Sequence, residues 1–179
     1  IMEKDKLIHA VSWSVLYLIG YGILTVIGNF LFSDEILIVC SLAGGIYILI
    51  NAFFIKYKRE RLFINGLISA FAVLCLGILI GKNLKFEEVF ASGVAISIMD
   101  ILSFTKYGKH TVNAKAMSNI QFMSKLIVYG KEKKDVLVPT CGIGDYLYYS
   151  LWISGIHTVS NSIKAYLLAV CMILLGSSI

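Results

Sequence analysis

The chain has 179 residues, of which 58% are hydrophobic and 15% charged, with a formal net charge of +5. Long apolar runs separated by short clusters of charge exclude a water-soluble enzyme. The basic residues flank those runs and are not interleaved with base-reading groups, so nucleic-acid binding is not expected either. We therefore expect a helical membrane protein. Because Ile1 precedes Met2, we interpret the chain as processed, tagged or partial.

Six apolar runs predict six membrane-spanning helices, since a helix needs about 20 apolar residues to cross roughly 30 Å of hydrocarbon. The expected fold class is all-α, a polytopic transmembrane bundle that forms a single membrane domain over residues 1–179. One bent helix is the alternative for the last two runs. The predicted spans are residues 7–32, 35–56, 60–81, 86–106, 142–160 and 162–179.

The basic residues predict the orientation of this bundle. If the N-terminus is cytoplasmic, thirteen of the sixteen basic residues lie on the cytoplasmic side, and only Lys82, Lys85 and Lys164 lie on the other. The positive-inside rule favours that arrangement. We therefore expect a multi-pass protein in the lipid bilayer with a cytoplasmic N-terminus and a cytoplasmic segment at residues 107–141.

The fourth predicted span contains an acid, Asp100, inside the apolar run VAISIMDILSF. A carboxylate at such depth costs about 2.5–3.5 kcal/mol on insertion scales, so it is a functional candidate. Gly93 and Ser97 precede it on a partly small face that permits close helix approach. The alternative is a structural acid that pairs with a snorkelling lysine.

The cytoplasmic segment predicts a short helix followed by a β-hairpin. Val112, Ala116, Ile120 and Met123 form one helical stripe within residues 112–124, which suits a helix at the inner interface. Two short β-prone runs, residues 125–129 and 135–138, are joined by residues 130–134. An ordinary basic loop is the alternative. An edge strand here can pair with an unwound substrate, and the predicted substrate-binding residues are Leu126, Val128, Val136, Val138 and Tyr146.

The fifth predicted span opens with a second acid, Asp145, in the string Gly142-Ile143-Gly144-Asp145. Antiparallel spans bring Asp100 and Asp145 towards the same leaflet, where two carboxyls can share a proton and hold one water. Asp145 as a plain helix N-terminal acid is the alternative. We predict Asp100 and Asp145 as a catalytic pair, supported by Gly142, Gly144, Met99 and Ile143.

The GIGD string followed by Tyr146-Leu147-Tyr148-Tyr149-Ser150 resembles the GxGD segment of presenilins and signal peptide peptidases. Asp100 followed by Tyr107-Gly108-Lys109-His110 is similar to the other catalytic helix of their microbial homologues, so the resemblance covers residues 96–155. It implies an intramembrane aspartyl endopeptidase that cuts transmembrane proteins or signal peptides without a metal or organic cofactor.

Three features depart from that family. Met99 stands where the family has a tyrosine, the single proline is Pro139 rather than part of a Pro-Ala-Leu motif, and the family has nine spans. Either a C-terminal part is absent from this chain, or another chain supplies it, or the protein is an inactive relative. A prepilin-peptidase-like protease that cuts at the membrane interface and a non-catalytic scaffold are the alternative functions. The oligomeric state stays open.

Overall fold

The computed structural model describes residues 2–103, 105, 118–131, 136–156, 159–160 and 162–177. Side chains are described for residues 8–98, 101–102, 105, 118–131, 136–156, 159–160 and 162–173. This part of the chain is mostly helical, with one small antiparallel sheet. The elements are α1 (Met2–Leu31), α2 (Asp34–Phe53), α3 (Leu62–Asn83), α4 (Phe86–Ser103), α5 (Ile120–Lys125), β1 (Ile127–Lys131), β2 (Leu137–Gly142), α6 (Ile143–Gly155) and α7 (Ile163–Ser177).

Three helical stretches are long and apolar enough to cross a membrane within the described residues: Ile8–Leu31, Asp34–Phe53 and Arg59–Asn83. The prediction of a mostly helical chain is confirmed, and these three apolar helices are compatible with a membrane protein. The helix α6 has 13 residues and extends only about 20 Å, less than the hydrocarbon thickness. The last described apolar stretch, Ile163–Ile173, is also short. The number of six crossings therefore stays a prediction.

Helix α3 lies at the centre of the bundle. Half of the most apolar 18-residue stretch of Arg59–Asn83 is buried inside the protein, whereas only 22% of the corresponding stretch of α2 is buried. Large apolar side chains of α1 and α2, such as Leu31, Val39 and Phe53, are more than 60% exposed. Such faces are expected where the solvent is lipid, since hydrocarbon tails are as apolar as these side chains. The helix α3 packs against α1, α2 and α6.

Small residues form the interface between α3 and α6. A Cβ on Gly77 would overlap Ser150 Oγ, and a Cβ on Gly81 would lie 2.6 Å from Ser154 Cβ and 2.7 Å from the Leu151 carbonyl oxygen. Both pairs are spaced by four residues, so each presents one small stripe to the other helix. This close approach of two backbones fixes the position of α6, which carries Asp145.

Hydrogen bonds along one face of α1 fasten the same helix from the other side. Tyr21 Oη donates to Ser150 Oγ at 3.4 Å, and Asn29 Nδ2 donates to Ser154 Oγ at 2.9 Å. Nearer the start of α1, Tyr17 Oη donates to the carbonyl oxygen of Tyr129 on β1 at 3.3 Å. Polar side chains on α1 thus tie both α6 and the sheet to the bundle.

The predicted hairpin is confirmed, with β1 and β2 antiparallel and a register shift between Val128 and Tyr129. A Cβ on Gly66 of α3 would lie 3.2 Å from Val128 Cα, and one on Gly130 would lie 2.6 Å from Trp13 Cγ. The sheet is therefore packed against α3 and α1. Of the short helix predicted within residues 112–124, Val112 and Ala116 lie outside the described residues. Ser118 is helical, and the extended Asn119 precedes α5, which begins at Ile120.

The two ends of the bundle differ in charge. Among the described side chains, the end that holds the hairpin has six basic and two acidic residues, and the opposite end has three basic and four acidic residues. Lys125 Nζ at the hairpin end donates to the carbonyl oxygens of Ala52 and Ile55, at 3.0 and 2.6 Å, where α2 ends. The hairpin-end residues are Lys56, Lys58, Arg59, Glu60, Arg61, Lys125, Lys131 and Asp145; the others are Asp34, Glu35, Lys82, Lys85, Glu87, Glu88 and Lys164.

Candidate active site

Asp145 lies in the first turn of α6, immediately after β2, and is exposed. Gly142 precedes the helix in an extended conformation, with φ −70° and ψ 147°. The Ile143 backbone N–H donates to the Leu126 carbonyl oxygen at 2.9 Å, which joins the start of α6 to the start of β1. The hairpin therefore fixes where the helix begins and holds Asp145 at its positive end.

The nearest described partner of the Asp145 carboxylate is a thiol. Cys141 Sγ donates to Asp145 Oδ2 at 3.2 Å, and a Cβ on Gly142 would lie 3.2 Å from the same oxygen. Burial raises the pKa of the Cys141 thiol to about 12, and the negative charge of Asp145 adds to the increase. The thiol is therefore protonated at neutral pH and acts as a donor beside the carboxylate. Gly144 faces open space.

We expect Cys141 to be unreactive towards alkylating reagents at pH 8. A thiol with a pKa of about 12 is ionised only to about 10⁻⁴ at that pH, which slows alkylation about 10³-fold relative to an ordinary thiol. Asp145→Asn should lower the pKa and speed the reaction, because the neighbouring negative charge is removed. The rate is measured by mass spectrometry in a variant with alanine at the other cysteines, Cys40, Cys75 and Cys171. Asp34→Asn is the matched control, and equal rates in both Asn variants would contradict the contact.

One side of helix α4 packs against one side of helix α6. Phe86 packs on Trp152 with ring centroids 5.1 Å apart. A Cβ on Gly93 would overlap the Tyr148 hydroxyl, so the tip of that side chain lies directly against the α4 backbone. Asp145 lies three residues before Tyr148, on the same side of α6. The helical period places position 100 two turns beyond Gly93 on the α6-facing side of α4.

The contacts also set the axial register of the two helices. Gly93 contacts the Tyr148 side chain and Gly155 contacts Val89, and the helices are antiparallel, so Asp145 is level with residues 96–99. Position 100 then lies one to four residues further along, at most about 6 Å towards the hairpin end. The backbone at position 100 belongs to α4, but the side chains of Asp100 and Met99 lie outside the described residues.

A cavity of about 430 Å³ separates α4 from α6 and α7 beyond Gly93. Its lining is largely apolar, with Val94 and Ile101 from α4 and Trp152 from α6. The polar groups on its wall are the hydroxyls of Ser97, Tyr148 and Tyr149. Asp145 is not among the residues that line this cavity; the lining residues nearest to it in sequence are Tyr148 and Tyr149 of the same helix.

The predicted substrate-binding residues occupy different environments. Val128 and Tyr146 are buried in the hydrophobic core, where Tyr146 packs on Tyr21 with ring centroids 4.6 Å apart. Their side chains hold the hairpin and α6 in place and are not open to a substrate. Leu126 and Val138 are half-buried and Val136 is exposed, so these three remain accessible.

Sequence reasoning missed the residues that position α6. Gly77 and Gly81 on α3 and Ser150 and Ser154 on α6 were detectable as two small-residue pairs spaced by four. The thiol of Cys141 was also missed as a partner of Asp145. The four-residue separation of Cys141 and Asp145 predicts no contact when a strand ends between them, because strand and helix place side chains differently.

Comparison of the chain with protein-family models, with curated proteins and with solved structures gives no match. The resemblance to GxGD proteases therefore depends on the motif residues, and the function is inferred from the geometry around them.

Proposed function

We propose that this protein is an intramembrane aspartyl protease that hydrolyses a peptide bond of a transmembrane segment or signal peptide. The observation that carries the proposal is the arrangement of α4 and α6. Asp145 and position 100 belong to adjacent antiparallel helices and lie within about one turn of each other in depth, and their neighbours Ile101 and Tyr148 line a largely apolar cavity. The proposed mechanism uses two carboxyl groups as its only catalytic groups and includes no metal or organic cofactor.

In this mechanism one carboxyl is ionised and the other is protonated, as expected for two acids that share a site. The ionised carboxylate removes a proton from water while the water oxygen attacks the scissile carbonyl carbon. The protonated carboxyl donates its proton to the carbonyl oxygen. The carboxyl that took the water proton then gives it to the leaving nitrogen, and the other carboxylate takes a proton from a hydroxyl of the tetrahedral intermediate. The C–N bond breaks as the intermediate collapses, and both carboxyls return to their starting states. We assign these two roles to the Asp100–Asp145 pair as a whole and not to either residue.

The hairpin supports this function because a helical substrate must be unwound before its carbonyl can be attacked. A helix keeps each carbonyl in an i to i−4 hydrogen bond, and an unwound segment in a membrane needs other partners. Strand β2 ends directly at the GxGD string and keeps Val136 and Val138 accessible. Pairing of an extended substrate segment along this strand would satisfy its backbone groups.

We further propose six crossings with a cytoplasmic N-terminus. The helix order alternates direction, so the ends of α2 and α4 and the starts of α3 and α6 meet at the hairpin end. That end carries the larger excess of basic side chains, which favours the cytoplasmic face.

The experiment is cleavage of a reporter with a single transmembrane segment by the purified protein in liposomes. We expect two product peptides from the unchanged protein and none when both Asp100 and Asp145 are replaced with alanine. Product mass identifies the bond. Undiminished cleavage by the doubly substituted protein would overturn the proposal.

A prepilin-peptidase-like protease is the second candidate, and one observation favours it. Asp145 is exposed in the first turn of α6, at the end of the bundle rather than at its centre. An interface-cutting enzyme needs its acids at that depth. Cleavage of the same reporter outside its apolar segment, on the side of the hairpin, would support this candidate and exclude cutting within the span.

A further inference from the structure

A narrow apolar crevice of about 200 Å³ lies between α1 and α3, separate from the cavity beside α4. Leu16, Gly20 and Leu24 of α1 form one wall, and Leu67 and Phe71 of α3 form the other. Both helices belong to stretches long and apolar enough to cross a membrane. The crevice therefore opens towards hydrocarbon.

Gly20 leaves this crevice open. A Cβ at Gly20 would meet no atom within 4 Å, whereas one at Gly22 would lie 2.9 Å from Val170 Cγ1 and one at Gly28 would lie 2.6 Å from Ile78 Cδ1. The latter two glycines permit close packing against other helices. Gly20 instead provides space that another molecule can fill.

Basic residues line a second cavity, of about 400 Å³, at the hairpin end of the same face of α3. Among the described residues, its charged lining consists of Arg59, Glu60 and Lys131, with a sum of one positive charge. Phe63 and Ile64, in the first turn of α3, are apolar lining residues of this cavity. A phosphodiester, with one negative charge, complements this lining.

The two cavities follow one surface of α3. Ile64 in the basic cavity is spaced three and seven residues from Leu67 and Phe71 in the crevice, so the three side chains form one stripe. The stripe is about 10 Å long, and the opposite wall from Leu16 to Leu24 is about 12 Å long. The two cavities share no lining residue, and this stripe of α3 joins them. We call the basic cavity, the stripe and the crevice together the groove.

We propose that this groove binds one anionic glycerophospholipid. The phosphodiester lies between Arg59 and Lys131, and part of one acyl chain fills the crevice beside Gly20. A transmembrane helix is too large, because a helix about 10 Å across would need several times the crevice volume over the same length. The crevice shares no lining residue with the cavity beside α4, although Val128 and Tyr146 also line it. Lipid binding there is measured without any proteolysis.

Tryptophan fluorescence provides the test, because the chain has only Trp13 and Trp152. Trp13 lies one turn before Tyr17, which lines the crevice, and Trp152 lines the cavity beside α4. With Trp152→Phe, Trp13 is the single reporter. Reconstitution into phosphatidylcholine with increasing fractions of phosphatidylglycerol brominated on its acyl chains should quench Trp13 at low mole fraction. Brominated phosphatidylcholine should quench it less.

Substitutions separate the headgroup from the acyl chain. Arg59→Gln and Lys131→Gln should each raise the mole fraction for half-maximal quenching about fivefold, whereas Lys56→Gln and Lys58→Gln, which remove the same charge nearby, should leave it unchanged. Gly20→Leu should reduce quenching by filling the crevice. Gly45→Leu is its matched control, since Gly45 also faces open space.

Equal quenching by the two brominated lipids, unaffected by Arg59→Gln and Lys131→Gln, would overturn the proposal. A loss of quenching that is the same for all four basic substitutions would also overturn it, because it would indicate a general surface potential. Quenching unchanged by Gly20→Leu would place the acyl chain elsewhere and contradict the site.

Discussion

Asp145→Asn is expected to lower the rate of reporter cleavage by at least about 10³-fold. Asparagine has nearly the same shape as aspartate but can neither accept the proton of the attacking water nor donate one to the substrate carbonyl. Asp100→Asn should have an effect of the same size, since one water needs both groups. The two effects should not add in the double variant, because removing either acid already stops the dyad. Initial rates with the liposome reporter measure this.

The same substitution should change stability little, which separates catalysis from folding. Asp145 is exposed and its side chain is not part of the core. The expected loss is that of a carboxylate at a helix N-terminus, about 0.3–1 kcal/mol. If Asp145→Asn lost its cooperative unfolding transition, the variant would be misfolded, and its loss of cleavage would not report on catalysis. Retained cleavage would contradict the proposed role.

Gly81→Ala is expected to destabilise the protein by about 1–3 kcal/mol through overpacking. The new methyl group would lie 2.6 Å from Ser154 Cβ and 2.7 Å from the Leu151 carbonyl oxygen. Backbone atoms cannot rotate away, so α3 and α6 must separate. Because α6 carries Asp145, cleavage should fall together with stability. Unfolding in detergent micelles by heat or denaturant measures the change.

Gly45→Ala is the matched control for this substitution and should have the opposite sign. A Cβ at Gly45 of α2 would meet no atom within 4 Å. Alanine is the better helix former by about 0.5–1 kcal/mol, so Gly45→Ala should stabilise the protein slightly. Equal effects of the two substitutions would contradict the close approach of α3 and α6.

The helices were predictable because apolar runs and charge clusters alternate along the chain. The predicted spans 35–56 and 60–81 correspond to Asp34–Phe53 and Leu62–Asn83, and the hairpin lies where β-prone runs flank a charged turn. The fourth predicted span, residues 86–106, matches the start of α4 at Phe86. Charge placement alone was sufficient for these boundaries, since charged residues rarely lie within hydrocarbon.

The orientation of side chains was not predictable in the same way. Val128 and Tyr146 were expected to face a substrate but are buried in the core. Strand β1 is apolar on both faces, so alternation cannot indicate which face is covered, and the register shift after Val128 is invisible in sequence. The two small-residue pairs are visible in the sequence, but their pairing was not predictable. Gly77 and Gly81 contact serines about 70 residues away, and spacing alone does not indicate which helices pack together.

The central claim is that the side chains at positions 100 and 145 face each other across the α4–α6 interface. Cross-linking tests it directly, with cysteines at 100 and 145 in a protein whose four native cysteines are replaced by alanine. A short bifunctional thiol reagent should link this pair in membranes. The pair of Leu102→Cys with Asp145→Cys, at similar depth but on the opposite face of α4, should not react. Efficient linking of 102 with 145 and none of 100 with 145 would contradict the account.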